Sequence, residues 1–102
     1  MRVIELNAAK WRSKLDFYDA LLNAIGAPPG HGHSANALVD SMIWGGMNAV
    51  EPPYTVRIVG TAKLPDDIRN TIELVKQDLT DARAEFRRVR GEDVEVQFEA
   101  DL

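Results

Sequence analysis

His31-Gly32-His33 is the sequence's densest group of potential metal ligands. An His-x-His pair needs a third and usually a fourth donor to hold zinc. The chain has no other histidine and no cysteine, so only a distant carboxylate could complete such a site. A polar loop, with both histidines exposed to solvent and holding no structural metal, is the better reading of these residues. Ser34 follows His33, but adjacency in sequence does not make a nucleophile and its base. Ser13, Ser34 and Ser41 all lack the Gly-x-Ser-x-Gly frame of a nucleophile elbow. Gly45-Gly46 and Gly60 belong to no phosphate-cradling pattern. Arg83, Arg87, Arg88 and Arg90 could meet a phosphate, yet Asp81, Glu85 and Glu92 interleave them, as on a solvated helix face. These patterns point to no enzyme and call for no cofactor or metal. The absence of cysteine also excludes disulfide scaffolds and thiolate centres, and it fits a reducing cytosol.

Binding chemistry is the remaining candidate. Asn36, Val39 and Asp40 fall on one side of a short helical segment, behind a loop of Gly, Pro and His at residues 26–33. A helix beginning beside a shaped loop is a common recognition surface, and a solvated helix with a turn in front fits the spacing equally well. The net charge is −4, from 16 acids and 12 bases. That field disfavours nucleic acid and anionic membranes and favours a basic protein. Between Lys14 and Arg57 there is no Lys or Arg, while Asp16, Asp19, Asp40 and Glu51 lie in that stretch. A second acidic run, Glu92 to Asp101, carries no base. No run approaches the ~18 apolar residues of a membrane span, and Glu5 interrupts the first apolar stretch. A soluble, cytoplasmic protein, monomeric when free, is expected.

The elements that must position this face can be read from periodicity. At 102 residues the chain suits a single domain spanning 1–102. Residues 2–6 are β-branched and apolar and begin a strand. Ser13 caps a helix with Asp16 in the capping-box position, and Leu15, Tyr18, Leu21, Leu22 and Ile25 form its apolar stripe. Gly26 and Pro28-Pro29 stop it. Ser34 caps a second helix running to about Trp44, with Leu38 and Met42 facing the core and Ile43 on the side of Asn36, Val39 and Asp40. Tyr54–Val59 is a second strand. A third helix starts near Leu64-Pro65, and Ile68, Ile72, Val75, Leu79, Ala82 and Phe86 hold three/four spacing along it. Gly91 ends it, and Val94–Phe98 alternates as a third strand. Helical crossovers imply parallel pairing. Polar Arg57, Glu95 and Gln97 between apolar neighbours leave one face of the sheet in water. The predicted fold is α/β: a three-stranded parallel sheet with helices mainly on one face, in the order β-α-α-β-α-β.

Residues 30–46, Gly-His-Gly-His-Ser-Ala-Asn-Ala-Leu-Val-Asp-Ser-Met-Ile-Trp-Gly-Gly, resemble the barstar family, intracellular inhibitors of secreted microbial ribonucleases. Gly32 and Ala37-Leu38-x-Asp40 match the loop glycine and helix core of that family. Leu79-Thr80-Asp81-Ala82 is similar to its last-helix signature, and the element order agrees along essentially the whole chain. The resemblance implies a barstar-like fold and an immunity protein of bacterial toxin–antitoxin type that plugs the active site of a basic nuclease toxin. It implies Asp40 as the anchor carboxylate, replacing substrate phosphate among cationic groups, with Asp81 as a second carboxylate. Asn36, Val39, His31, Gly32, His33 and Trp44 complete the implied contact face. Asn36 stands where the family usually has Asp, Val39 where it has an aromatic residue, and Gly30-His31 where it has an aromatic pair. These departures leave the class of the inhibited enzyme open. A small interaction or regulatory domain using the same face, without a nuclease partner, is the second expectation.

Overall fold

Three strands each turn alternate apolar residues inward, and one long amphipathic helix is their principal cover. The computed structural model describes residues 2–102. The strands are β1 (Arg2–Asn7), β2 (Tyr54–Val59) and β3 (Val96–Ala100). The helices are α1 (Lys14–Ala24), α2 (Ala35–Val39) and α3 (Asp66–Arg90), and a π-turn, Asp40–Trp44, continues α2. The sheet order is β1-β2-β3 and both pairings are parallel, as predicted. Ile4 and Leu6, then Tyr54, Val56 and Ile58, then Val96 and Phe98 are buried on the inner face. Arg57 and Glu99 are cross-strand partners on the outer face, and Arg57 Nε donates to Glu99 Oε2 at 3.1 Å. The polar alternation therefore marks a face that no helix covers.

Local chemistry sets the helix ends. Ser13 Oγ accepts from the Asp16 amide while Asp16 Oδ2 accepts from the Ser13 amide, a complete capping box. Behind α1 the Gly26 amide donates to Asn23 O and the Ala27 amide to Leu22 O, a Schellman ending that needs the positive φ of 67° at Gly26. Leu15 departs from the predicted stripe, being 52% exposed. The core centre of α1 is instead Phe17, wedged between Trp11 and Phe98 at ring-centroid distances of 5.6 and 6.4 Å. Leu15 lies two positions away, nearly on the opposite side of the helix. On α3, Ile68, Ile72, Val75 and Leu79 are buried, and Ala82 and Phe86 pack partly buried against the core.

β3 begins two residues later than the alternation suggests. Asp93 is drawn onto α3: Arg83 Nε and Nη2 donate to its two oxygens at 2.8 and 2.7 Å, and Arg87 Nη2 lies 3.0 Å from Oδ2. The Val96 amide then turns back to Val94 O at 2.8 Å, so Val94 falls outside the ladder. At the other end of the sheet Arg69 donates to the carbonyls of Leu64, Thr61 and Leu102, binding the β2–α3 connection to the last residue.

Two measurements check this packing. Leu38 and Ile72 are fully buried, so Leu38→Ala or Ile72→Ala should cost about 2–5 kcal/mol in chemical denaturation, a large share of a small domain's stability. Hydrogen bonds from Arg83, and then from Arg87, hold the Asp93 carboxyl far below the usual carboxylate range despite partial desolvation. The unfolded chain thus binds this proton more readily than the folded one, and the resulting stability is complete above an ordinary Asp pKa of about 3.9. It should be lost progressively as pH falls below that value. Denaturation midpoints measured down the acid range should decline less steeply for Asp93→Asn than for the wild type.

Candidate functional site

The loop at residues 26–33 and the start of α2 are held by hydrogen bonds from three elements. Ser34 Oγ accepts the Ala37 amide at 3.1 Å and caps α2, the role its position predicts. A side chain at Gly32 would bring its Cβ to 3.1 Å from that of Ala37, so the bare backbone lets the loop lie close against the helix. His33 Nε2 sits 2.9 Å from Asp19 Oδ1 on α1, and its ring stands edge-on to Tyr18 at 6.3 Å. Burial pushes the Tyr18 phenol above its usual pKa, and the nearby Asp78 carboxylate adds to this. Tyr18 is thus a neutral apolar wall for His33 across the physiological range.

His31 is not the exposed loop residue expected from its polar surroundings. It is 8% exposed, with Nδ1 2.8 Å from Gly32 O and Nε2 2.7 Å from Ser41 Oγ. The chain turns its ring inward because the π-turn presents the Ser41 hydroxyl to it. The two histidines therefore address different partners and do not converge. Among the described residues, no three His, Asp or Glu side chains are grouped to hold a metal ion.

Asp40 opens the π-turn. Its amide donates to Ala37 O and Asn36 O, and its carbonyl accepts the Gly45 amide at 3.0 Å, closing an i→i+5 turn. Each residue of this wider turn advances by a smaller angle than in an α-helix. Met42 and Ile43 consequently both reach the core, at 1% and 2% exposure. Ile43 therefore leaves the side of Asn36 and Asp40, where regular α spacing would put it. Asn36 and Asp40 are exposed, and Val39 is half-buried against the core. The Asp40 carboxylate has no hydrogen bond or ion pair among the described residues.

Trp44 closes the π-turn at 41% exposure. Its ring lies 5.0 Å from Phe86, and the Arg90 guanidinium sits 5.7 Å from the Trp44 centroid. It is thus attached to the far end of α3 and not to the loop. Asp81 is exposed on α3, two positions from buried Leu79 and so on nearly the opposite side, where it accepts from Gln77 Nε2 at 2.9 Å. Asn36 and Asp40 stand one helical turn apart, Gly32 lies against Ala37 of the same helix, His31 is buried against Ser41, His33 is turned toward α1, and Asp81 is held on α3. Sequence reasoning missed Ser41, Asp19 and Tyr18 as the loop's holders. Only the π-turn itself reveals that Ser41 faces the loop.

A carboxylate that is exposed and, among the described residues, unpaired, on a helix against which a glycine loop is braced, is an arrangement for recognition. A family model described as Barstar (barnase inhibitor) matches residues 1–99. The chain belongs to the barstar family. Among curated proteins, none matches it. Barstar-family proteins are inhibitors that bind protein partners. Among the described residues no helix is long and apolar enough to cross a membrane.

Proposed function

We propose that this barstar-family chain is an immunity protein that binds a basic nuclease toxin in the cytoplasm and blocks its active site. The observation that carries the reading is the Asp40 carboxylate: exposed, without a partner among the described residues, and presented at the head of the π-turn in a chain matching the family over residues 1–99. A ribonuclease active site gathers cationic groups around the substrate phosphate. A carboxylate entering it makes charge-assisted, often bidentate hydrogen bonds. With no internal ion pair to break, Asp40 gives up only its hydration on binding. Gly32 lets a partner approach the loop backbone closely, and Asn36 offers a neutral donor and acceptor beside the carboxylate. The acidic stretch from Asp16 to Glu51 steers a basic partner toward this face. Val39, half-buried, offers a partner less surface than an aromatic residue would, which supports a nuclease whose contact face differs from that of barnase.

The test is Asp40→Ala against barnase and against any basic nuclease-like protein encoded beside this chain. Exposed and unpaired, Asp40 should alter folding stability by no more than about 0.5 kcal/mol when replaced. Calorimetric titration should show affinity falling about a hundredfold or more, near 3 kcal/mol. Added salt should slow association of the wild type more than that of the variant. Unchanged binding by Asp40→Ala would move the interface elsewhere on the molecule.

A further inference from the structure

We propose that His31 is a positioning residue: through Ser41 it latches the recognition loop to the π-turn, so that Gly32 and the Asp40 carboxylate are presented as one rigid unit. The proposal rests on the reading of Asp40 as the anchor for a partner.

The chemistry of the two hydrogen bonds fixes the direction of the latch. A carbonyl oxygen only accepts, so the contact at 2.8 Å requires His31 Nδ1–H to donate to Gly32 O. In the neutral imidazole Nε2 then carries a lone pair, and the hydroxyl of Ser41 donates to it at 2.7 Å. Both ring nitrogens are satisfied, as a buried imidazole requires. The alternative acceptor for Ser41, the Leu38 carbonyl, is further away at 3.5 Å. Ser41 follows Asp40 directly in the chain, and Gly32 follows His31. One side chain thus ties the backbone of the loop to that of the anchor through a single residue on each side.

Ala27 packs the start of this loop against the core, and hydrogen bonds hold its far end. A cleft of about 360 Å³ lies between the loop and α1, lined by Leu22 and Ala27 as well as by Asp19, Gly30, His31 and His33. His33 and Asp19 close one side of the cleft, and His31 and Ser41 supply the other attachment. Gly30, with φ of 82° and open space within 4 Å of where a Cβ would stand, adds no packing of its own. Without the Ser41 bond the loop has room to move relative to Asp40.

The experiment uses the isotopically labelled free protein and three variants. In the wild type, long-range ¹H–¹⁵N spectra should show His31 protonated at Nδ1 and bare at Nε2. Ser41→Ala should speed exchange of the His31 and Ala37 amides about tenfold while the Val56 and Ile58 amides of the sheet keep their rates. His31→Asn, which reaches Gly32 but not Ser41, should do the same, and His31→Gln, which reaches Ser41, should restore slow exchange. The Nε2–H tautomer of the neutral ring in the wild type, unchanged loop exchange in Ser41→Ala, or equal acceleration in the sheet would overturn the latch. With barnase as probe, Asp40→Ala should cost less affinity in the Ser41→Ala background than in the wild type. An undiminished Asp40 effect in that background would overturn the positioning role. Failure of the unaltered chain to bind barnase would count against barnase as the target, and the exchange and tautomer results would still decide the latch.

Discussion

The amide of Gly45 reaches back five residues to the carbonyl of Asp40, and that one bond sets the character of the proposed interaction face. A regular helix through Trp44 would carry Ile43 outward with Asn36. The wider turn draws Met42 and Ile43 into the core together, turns Ser41 toward the loop, and leaves the Asp40 carboxylate at the rim. Apolar burial below and an unpaired charge above are thus two results of one change in helical pitch. Gly45 suits the exit because its φ of 81° is open to glycine and strained for other residues.

The sheet contributes a platform. Its inner face is covered by α1 and α3, with α2 and the π-turn packed in turn on α3, and its outer face is finished with polar pairs such as Arg57 and Glu99. Arg83 and Arg87, gripping Asp93 ahead of β3, and Arg69, gripping the carbonyls that follow β2 and β3, fasten α3 to the strands at two levels. α3 in turn supports Trp44 through Phe86 and Arg90. The aromatic end of the π-turn is therefore braced by a helix that contributes none of the loop's own hydrogen bonds.

The strands, the long helix and their parallel order are legible in the sequence because alternation and three/four spacing are written in single residues such as Val56, Ile58, Ile72 and Leu79. The capping box at Ser13 and the stops at Gly26 and Gly91 are equally local. Leu15, His31 and Ile43 depart from their expected places for a shared reason: their burial depends on tertiary partners that spacing does not encode. Phe17 wins the core position on α1 by meeting Trp11 and Phe98 from other parts of the chain. His31 turns inward because of a hydroxyl ten residues away that faces it only across a π-turn. The β3 boundary moves because ion pairing at Asp93 outweighs the alternation of Val94. On the proposed face, helical arithmetic places Asn36 and Asp40 correctly because α2 is still regular there.

Every residue of the loop, α2 and the π-turn lies inside the single crossover between β1 and β2. The register that joins those strands, Arg2 against Tyr54 through Asn7 against Val59, closes a chain segment containing the whole proposed face. Closing so long a segment is entropically expensive and late compared with local helix formation. The face is therefore a report on the completed fold: a chain whose first strand has not docked has the right sequence for recognition but no fixed geometry in which to present it. Affinity for a partner that engages this face is then coupled to β1–β2 pairing, and such a partner would hold together the strand pairing that encloses its own binding site.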